Sequence, residues 1–123
     1  MQEATAEALD ISRTSTYFPE TAEKLRKHRD LLINQLVASK IPFNIWIPEG
    51  GFFVIVDISN VNVDPKYFID EKTGEKLTKD FAFSLWLCKE KGVTSIPCSV
   101  FYPPEYRHLG ENLVRFAFCK TED

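Results

Sequence analysis

A nearly continuous apolar run from Phe52 to Ile58 constrains the fold of this chain more than any other segment. An apolar run of this length, bounded by turn residues, is typical of a strand that is covered on both faces. The turn ahead of it is Pro48-Glu49-Gly50-Gly51, in which the glycines permit positive φ. The pattern therefore predicts a buried strand in the middle of a sheet, entered from a tight turn.

The longest predicted helix begins at Pro19 and has Glu20 and Glu23 in its first turn, where the helix dipole favours negative charge. Apolar residues recur at helical spacing and predict one stripe facing the core: Ala22, Leu25, Leu32, Ile33 and Leu36. The basic run from Lys24 to Arg29 is compatible with an anion-binding patch, but a solvated helix face is the simpler interpretation.

A second helix is predicted after the polar, turn-rich segment Ser59–Lys79, which we interpret as a long loop with room for a small hairpin. Thr78 or Asp80 can cap this helix, and Gly92 can end it in the left-handed conformation. The predicted stripe of this helix comprises Phe81, Leu85 and Cys88, with Trp86 beside it.

The remaining elements are predicted from the same patterns. A short helix is expected over Gln2–Leu9, followed by a connecting segment over Asp10–Phe18. Three short strands are expected, at Phe43–Ile47, Val93–Cys98 and Leu113–Cys119. The final residues, Lys120–Asp123, have the composition of a helix N-terminus. Both ends are therefore expected to belong to something longer.

Composition argues against several classes of protein. The formal net charge of −3 argues against a nucleic-acid binder, which normally shows a basic surplus. The cysteines are odd in number and show no C-x-x-C pattern, so a reducing compartment is expected and no disulfide scaffold or metal site. No segment approaches the roughly 20 apolar residues of a membrane span, and no signal peptide is visible. The expected location is cytoplasmic, with a mitochondrial location as the alternative.

Arg115 is the first candidate for a chemical role, because it lies in an otherwise apolar strand between Val114 and Phe116. A buried guanidinium without a partner is too costly to persist, and its planar fork suits a carboxylate. Two explanations remain open. The arginine binds a ligand carboxylate, or it lies on an edge strand and faces solvent or pairs with an internal Asp. The pattern alone favours the second explanation.

Other residues have a simpler structural explanation than a chemical one. Ser99 lacks the G-x-S-x-G elbow of a serine nucleophile. The sequence Gly51-Phe52-Phe53-Val54 has a weak similarity to the RNA-recognition sheet motif. The expected basic residue ahead of the glycine is absent, and the adjacent Phe52 and Phe53 face opposite sides of a strand. An RNA-binding sheet is therefore the weakest hypothesis.

Five motifs, in their order along the chain, resemble the small domain of class I and II aminotransferases of the aspartate aminotransferase fold. The closest likeness is to the group of kynurenine–oxoglutarate transaminase, glutamine transaminase K and cysteine-conjugate β-lyase. The motifs are Pro48-Glu49-Gly50-Gly51-Phe52-Phe53, Val56-Asp57-Ile58, Gly92-Val93, Ile96-Pro97-Cys98-Ser99-Val100-Phe101-Tyr102 and Asn112-Leu113-Val114-Arg115-Phe116-Ala117-Phe118-Cys119-Lys120.

The resemblance implies an α+β fold, with a small antiparallel or mixed sheet covered by helices. Residues 1–18 would be the end of a large-domain helix and its linker, and residues 19–123 a small domain that stops before its final helix. Within the family, the arginine at the position of Arg115 binds the α-carboxylate of the amino-acid or 2-oxo-acid substrate, which reverses the preference stated above. Secondary substrate-binding candidates are Gly51, Phe53, Ser99 and Phe101.

The resemblance also implies pyridoxal phosphate as the cofactor of a parent enzyme that is a homodimer. The lysine that forms the Schiff base lies in the family's large domain and has no counterpart here, so the fragment is expected to bind no cofactor, contain no catalytic residue and be inactive. The missing large domain is its expected partner. The alternative is a non-catalytic binding or interaction domain derived from the family.

Overall fold

The computed structural model describes residues 1–119, which form a small sheet packed against helices. The α-helices are α1 (Gln2–Ser12), α2 (Tyr17–Ala38) and α3 (Lys79–Lys91), and the strands are β1 (Asn44–Trp46), β2 (Phe53–Asp57), β3 (Ile96–Pro97) and β4 (Leu113–Ala117). Short 3₁₀ helices lie at Pro65–Phe68, Ser99–Phe101 and Pro104–Leu109. The expected α+β architecture is confirmed. The helix start predicted for Lys120–Asp123 lies outside the described residues.

The strands form one antiparallel sheet in the order β1-β2-β4-β3. Strand β2 is central, as predicted, but the prediction that both of its faces are buried is wrong. Val54 and Val56 are fully buried, whereas Phe53 and Ile55 are only half-buried. Side chains alternate along a strand, and only the valine face packs against the core that the helices help to form.

Helix α2 supplies part of that cover through Leu25, Leu32, Ile33 and Leu36, as predicted, whereas Ala22 is exposed. The helix begins at Tyr17, ahead of Pro19. The predicted connection over residues 10–18 is shorter, because α1 continues to Ser12. The hydroxyl groups of Ser12 and Thr14 donate to the carbonyl oxygens of Leu9 and Ile11, at 2.6 and 3.2 Å, so these polar residues extend the helical end.

The basic run of α2 is not wholly a solvated face. His28 Nδ1 lies 3.2 Å from the carbonyl oxygen of Phe118, and Arg29 Nη1 donates to the carbonyl oxygen of Pro48 at 3.1 Å. Both side chains are half-buried. These two contacts hold the turn that precedes β2, and the strand end that follows β4, against the helix.

Helix α3 buries a different face from the one predicted. Its buried residues are Asp80, Ala82, Phe83 and Leu87, while Phe81 and Cys88 are exposed. The Phe83 ring packs edge-on against Phe43, with the ring centroids 6.0 Å apart. The apolar periodicity failed because a charged residue, Asp80, turns inward and sets the rotation of the helix.

The ends of α3 agree better with the sequence. Gly92 has φ 68°, in the left-handed region, and its N–H donates to the carbonyl oxygen of Cys88 at 3.1 Å, as predicted. Thr78 occupies the N-cap position, but its hydroxyl donates to Asp80 Oδ1 and makes no capping bond to the helix backbone. The loop before it contains the expected small hairpin, with an antiparallel bridge between Ile69 and Lys76.

No helix within residues 1–119 is long and apolar enough to cross a membrane.

Candidate functional site

Arg115 lies on an interior strand of the sheet. Strand β4 pairs with β2 on one side and β3 on the other, so Arg115 is opposite Ile55 and Ile96. Its neighbours Val114 and Phe116 point into the core, and Arg115 therefore projects from the other face. The edge-strand explanation of this arginine is wrong.

Two aromatic rings confine the guanidinium group of Arg115. Its Cζ atom lies 4.3 Å from the centroid of the Phe53 ring and 4.0 Å from that of the Phe101 ring. Phe53 belongs to β2, diagonally across the sheet from Arg115, and Phe101 ends the 3₁₀ helix Ser99–Phe101. Each cation–π contact contributes about 0.5–2 kcal/mol, depending on how far the group is desolvated. Both rings therefore lie within cation–π distance of the guanidinium.

Arg115 Nε is buried and has no hydrogen-bond partner within residues 1–119, and no carboxylate of that part of the chain forms an ion pair with this side chain. A buried donor left unpaired costs about 1–3 kcal/mol, and more when the group is charged. The Nε–H of Arg115 is therefore a buried donor that no residue within 1–119 uses.

Asp80, the fully buried carboxylate among the described residues, is already engaged. Asp80 is fully buried, and its Oδ2 accepts the N–H of Ser99 at 2.8 Å. Its Oδ1 accepts from the N–H of Phe81 at 2.9 Å and from the hydroxyl of Thr78 at 2.5 Å. The second structural explanation, an internal Asp paired with Arg115, is therefore not met among the described residues.

Cys98 is buried next to this site but is not suited to nucleophilic chemistry. Burial raises the pKa of the Cys98 thiol, the positive charge of Arg115 lowers it, and the negative charge of Asp80 raises it, with a net upward shift. A thiol whose pKa is raised carries little thiolate near neutral pH.

The other predicted site residues occupy three different places. Phe53 and Phe101 contact Arg115, as described above. Ser99 is 1% exposed, and its hydroxyl lies 3.4 Å from that of Thr78, on the side of α3. Gly51 has φ 78° in the turn before β2 and borders a groove between that turn and α2, beside Arg29. The described contacts bring together Arg115, Phe53 and Phe101 alone.

Sequence reasoning missed Asp80 as part of this site, treating it only as a helix cap. A sequence signal was available, because the polar residues Thr78 and Asp80 lie at the start of a helix whose apolar residues do not define a single face. No local pattern, however, could have identified the N–H of Ser99 as the partner of its carboxylate.

The described residues are not arranged to hold a metal or a lysine-bound cofactor. Residues 1–119 contain no group of three or more His, Cys, Asp or Glu side chains arranged to hold a metal ion. Every lysine in the same range is exposed or half-exposed. Pyridoxal phosphate is held by a lysine in a desolvated pocket. These residues do not fit that group, and no chemical step of the described chain passes through it.

The full sequence matches a known protein family and known structures. Residues 1–123 match the family Aminotransferase class I and II. The kynurenine–oxoglutarate transaminase of Dictyostelium discoideum is 36% identical over 98% of this chain, and kynurenine–oxoglutarate transaminase 3 of Bos taurus is 32% identical over 99% of it. The chain spans only 28% and 27% of the length of these two relatives.

Solved structures give the same result. The crystal structure of Bna3p from Saccharomyces cerevisiae superposes with a TM-score of 0.77 at 34% identity, covering 97% of this chain and 27% of that one. N-succinyldiaminopimelate aminotransferase from Mycobacterium tuberculosis superposes with a TM-score of 0.63 at 30% identity, covering 99% of this chain and 27% of that one. On this evidence the chain belongs to the class I and II aminotransferase family.

Proposed function

We propose that this chain is the small-domain part of a longer aminotransferase, in which it binds the α-carboxylate of the substrate. Residues 1–18 would then be the end of a large-domain helix and its linker, and residues 19–123 the small domain. The family match and the share of the relatives' length that the chain spans support this proposal. The parent enzyme would move an amino group between an amino acid and a 2-oxo acid.

The observation that carries the proposal is the unpaired, buried Nε of Arg115 between the rings of Phe53 and Phe101. A planar guanidinium donates its hydrogen bonds along its edge, and the geometry of that edge matches a carboxylate bound through two parallel hydrogen bonds. An α-carboxylate is the group that amino-acid and 2-oxo-acid substrates share. One site can therefore serve both half-reactions.

The role of this chain in the reaction is to orient the substrate. Binding the carboxylate at Arg115 fixes one end of the substrate, so the amino or keto group is presented in a defined direction. The rings of Phe53 and Phe101 keep water from the faces of the guanidinium, which strengthens its attraction for the carboxylate. Pyridoxal phosphate, which the family implies for the parent enzyme, supplies the electron sink when it is bound.

The remaining site residues have more distant roles in this proposal. Ser99 and Gly51 act through the segments that they shape, the Ser99–Phe101 turn and the turn before β2. We propose that the parent enzyme is a cytoplasmic homodimer and that the large domain supplies the Schiff-base lysine. The isolated chain should then be inactive. A visible-range pyridoxal chromophore on the purified chain, removed by borohydride, would contradict this part of the proposal.

Steady-state kinetics of the parent enzyme with Arg115→Met, which removes the positive charge and keeps a long unbranched side chain, test the proposal. Kynurenine and 2-oxoglutarate are the first pair to assay, because the relatives are named for them. Truncating one partner of a buried charge pair costs about 2–5 kcal/mol, so kcat/KM for this pair should fall about 30-fold or more. Turnover of an amine that lacks the carboxylate should change little. An equal loss for both donors would show that Arg115 acts on stability instead.

A non-catalytic interaction domain derived from the same family is the second candidate function. The observation that favours it is an exposed apolar surface where α1 meets α2. This surface contains Leu9, Ile11, Tyr17 and Phe18, each more than half exposed. If this surface mediates interaction, sedimentation velocity at high concentration should show self-association. A monomer under these conditions would count against the interaction-domain candidate. Detection of a longer protein that contains this sequence and the Schiff-base lysine would exclude the second candidate.

A further inference from the structure

Asp80 is the one fully buried charged side chain among the described residues, and the binding of a substrate carboxylate does not use it directly. Its carboxylate accepts three hydrogen bonds, from the N–H of Ser99, the N–H of Phe81 and the hydroxyl of Thr78. No cation within residues 1–119 forms an ion pair with it. Burying a carboxyl group on such partners is costly, and so the arrangement calls for an explanation.

The hydrogen bonds of Asp80 join three segments that are distant in sequence. Its side chain ties the start of α3 to Ser99, at the beginning of the 3₁₀ helix that ends in Phe101. Its backbone N–H donates to the carbonyl oxygen of Glu111 at 2.8 Å, shortly before β4 and Arg115. One residue therefore sets the position of the loop that carries Phe101 relative to the strand that carries Arg115.

The loop around Ser99 also packs closely against Gly110, which lies shortly before β4. A Cβ atom added to Gly110 would lie 2.9 Å from the backbone nitrogen of Ser99 and 2.9 Å from the Tyr102 ring. The N–H of Cys98 also donates to the carbonyl oxygen of Leu113 at 3.0 Å. The bond to Leu113 holds the loop against β4, and the Asp80 carboxylate holds it against α3.

We propose that Asp80 is a positioning residue for the carboxylate site, acting on Arg115 through the Ser99–Phe101 turn. This inference rests on the proposed role of Arg115. Loss of the bond from Ser99 frees the turn, and the Phe101 ring then no longer stays 4.0 Å from the guanidinium. Arg115 then loses one of its two cation–π contacts and binds a carboxylate less well, although Asp80 itself does not contact the substrate.

Asp80→Asn tests this inference, because the shape is kept while one of the two accepting oxygens becomes an amide NH₂, so the side chain can no longer accept from Ser99 on one side and from Thr78 and Phe81 on the other. Ser95→Ala is the matched control. Ser95 Oγ lies 2.9 Å from Ser84 Oγ, so this variant also removes a hydrogen bond between α3 and the segment that follows it, but leaves the Ser99–Phe101 turn alone. The readout is the NMR signal of the Arg115 Nε–H in the 123-residue chain, followed during titration with 2-oxoglutarate.

In Asp80→Asn the Arg115 Nε–H signal should move away from its wild-type position, because the ring current of Phe101 is lost. The dissociation constant for 2-oxoglutarate should rise about tenfold, the size expected for a lost cation–π contact. Ser95→Ala should leave both quantities unchanged. In a Phe101→Leu background, Asp80→Asn should add nothing further. An additive effect, or an equal shift in Ser95→Ala, would overturn the inference.

Thr78→Val keeps the test decisive if Asp80→Asn does not fold, since it removes one donor from the same carboxylate and keeps the side-chain shape. It should move the Arg115 signal in the same direction by less, and an unmoved signal overturns the inference. If the Arg115 Nε–H signal of the wild-type chain does not shift when 2-oxoglutarate is added, that result contradicts the proposed function instead. The positions of the Arg115 signal in the variants still decide the role of Asp80 in that case.

Discussion

The Phe101 ring contacts the Arg115 guanidinium, with 4.0 Å between the ring centroid and Cζ, and the Phe53 ring contacts it at 4.3 Å. Phe101 comes from a 3₁₀ helix and is 57% exposed, whereas Phe53 comes from the central strand and is half-buried. The arginine thus contacts the Phe53 ring on the central strand and the Phe101 ring on a short turn. Its orientation depends on where that turn lies.

Replacing Phe101 by Leu should weaken carboxylate binding without unfolding the chain. The variant loses a contact worth about 0.5–2 kcal/mol, so the dissociation constant for 2-oxoglutarate should rise roughly 2- to 30-fold. Tyr106→Leu is the control, because Tyr106 is an aromatic residue of similar exposure, 52%, in the next 3₁₀ helix. Calorimetric titration measures both variants. Equal weakening in the two would show that Phe101 has no particular role.

Replacing Gly110 by Ala should destabilise the fold near the site. The added Cβ would meet the Ser99 nitrogen and the Tyr102 ring at 2.9 Å, and overpacking of this kind costs about 1–3 kcal/mol. Gly50→Ala is the control, since a Cβ at Gly50 meets nothing within 4 Å and the residue does not have positive φ. Urea unfolding compares the two free energies. If Gly110→Ala lowers the free energy of unfolding no more than Gly50→Ala does, the loop can shift to accommodate the added Cβ at little cost.

The stability contributed by Cys98 should fall at alkaline pH. Burial raises the pKa of the folded thiol, although the charge of Arg115 opposes the shift. Above the ordinary thiol pKa the unfolded chain has released this proton while the folded chain retains it. The unfolded state then binds fewer protons, and the free energy of unfolding decreases as pH rises through this window.

Cys98→Ala isolates that effect, because every other titrating group is the same in both proteins. The difference in unfolding free energy between wild type and Cys98→Ala should narrow from pH 7 to the alkaline range. Urea unfolding at a series of pH values provides the measurement. A difference that stays constant with pH would show that the folded thiol ionises as readily as the unfolded one.

Much of the fold could be predicted from local pattern. The Phe52–Ile58 run predicted the central strand, helical spacing predicted most of the α2 stripe, and Gly92 predicted the end of α3. These features depend on neighbours along the chain. They need only the periodicity of a helix or strand and the conformational freedom of glycine.

The face of α3 could not be predicted, because Asp80 breaks the rule that charged side chains stay outside. Its burial is stabilised by the N–H of Ser99 and by the Thr78 hydroxyl, and the first of these partners lies far away in the sequence. The contact of Phe101 with Arg115 has the same long-range character. Arg115 itself was visible as a charge in an apolar strand, but its interior position needed the strand order.

The proposed binding of the substrate carboxylate by Arg115 can be followed at the NMR signal of its Nε–H. The 123-residue chain would be titrated with 2-oxoglutarate and, separately, with the dimethyl ester of 2-oxoglutarate, which carries no charge. We expect a saturable shift of the Arg115 Nε–H signal with 2-oxoglutarate and no shift with the dimethyl ester. An unmoved signal with the acid, or an equal shift with the ester, would contradict the proposed binding.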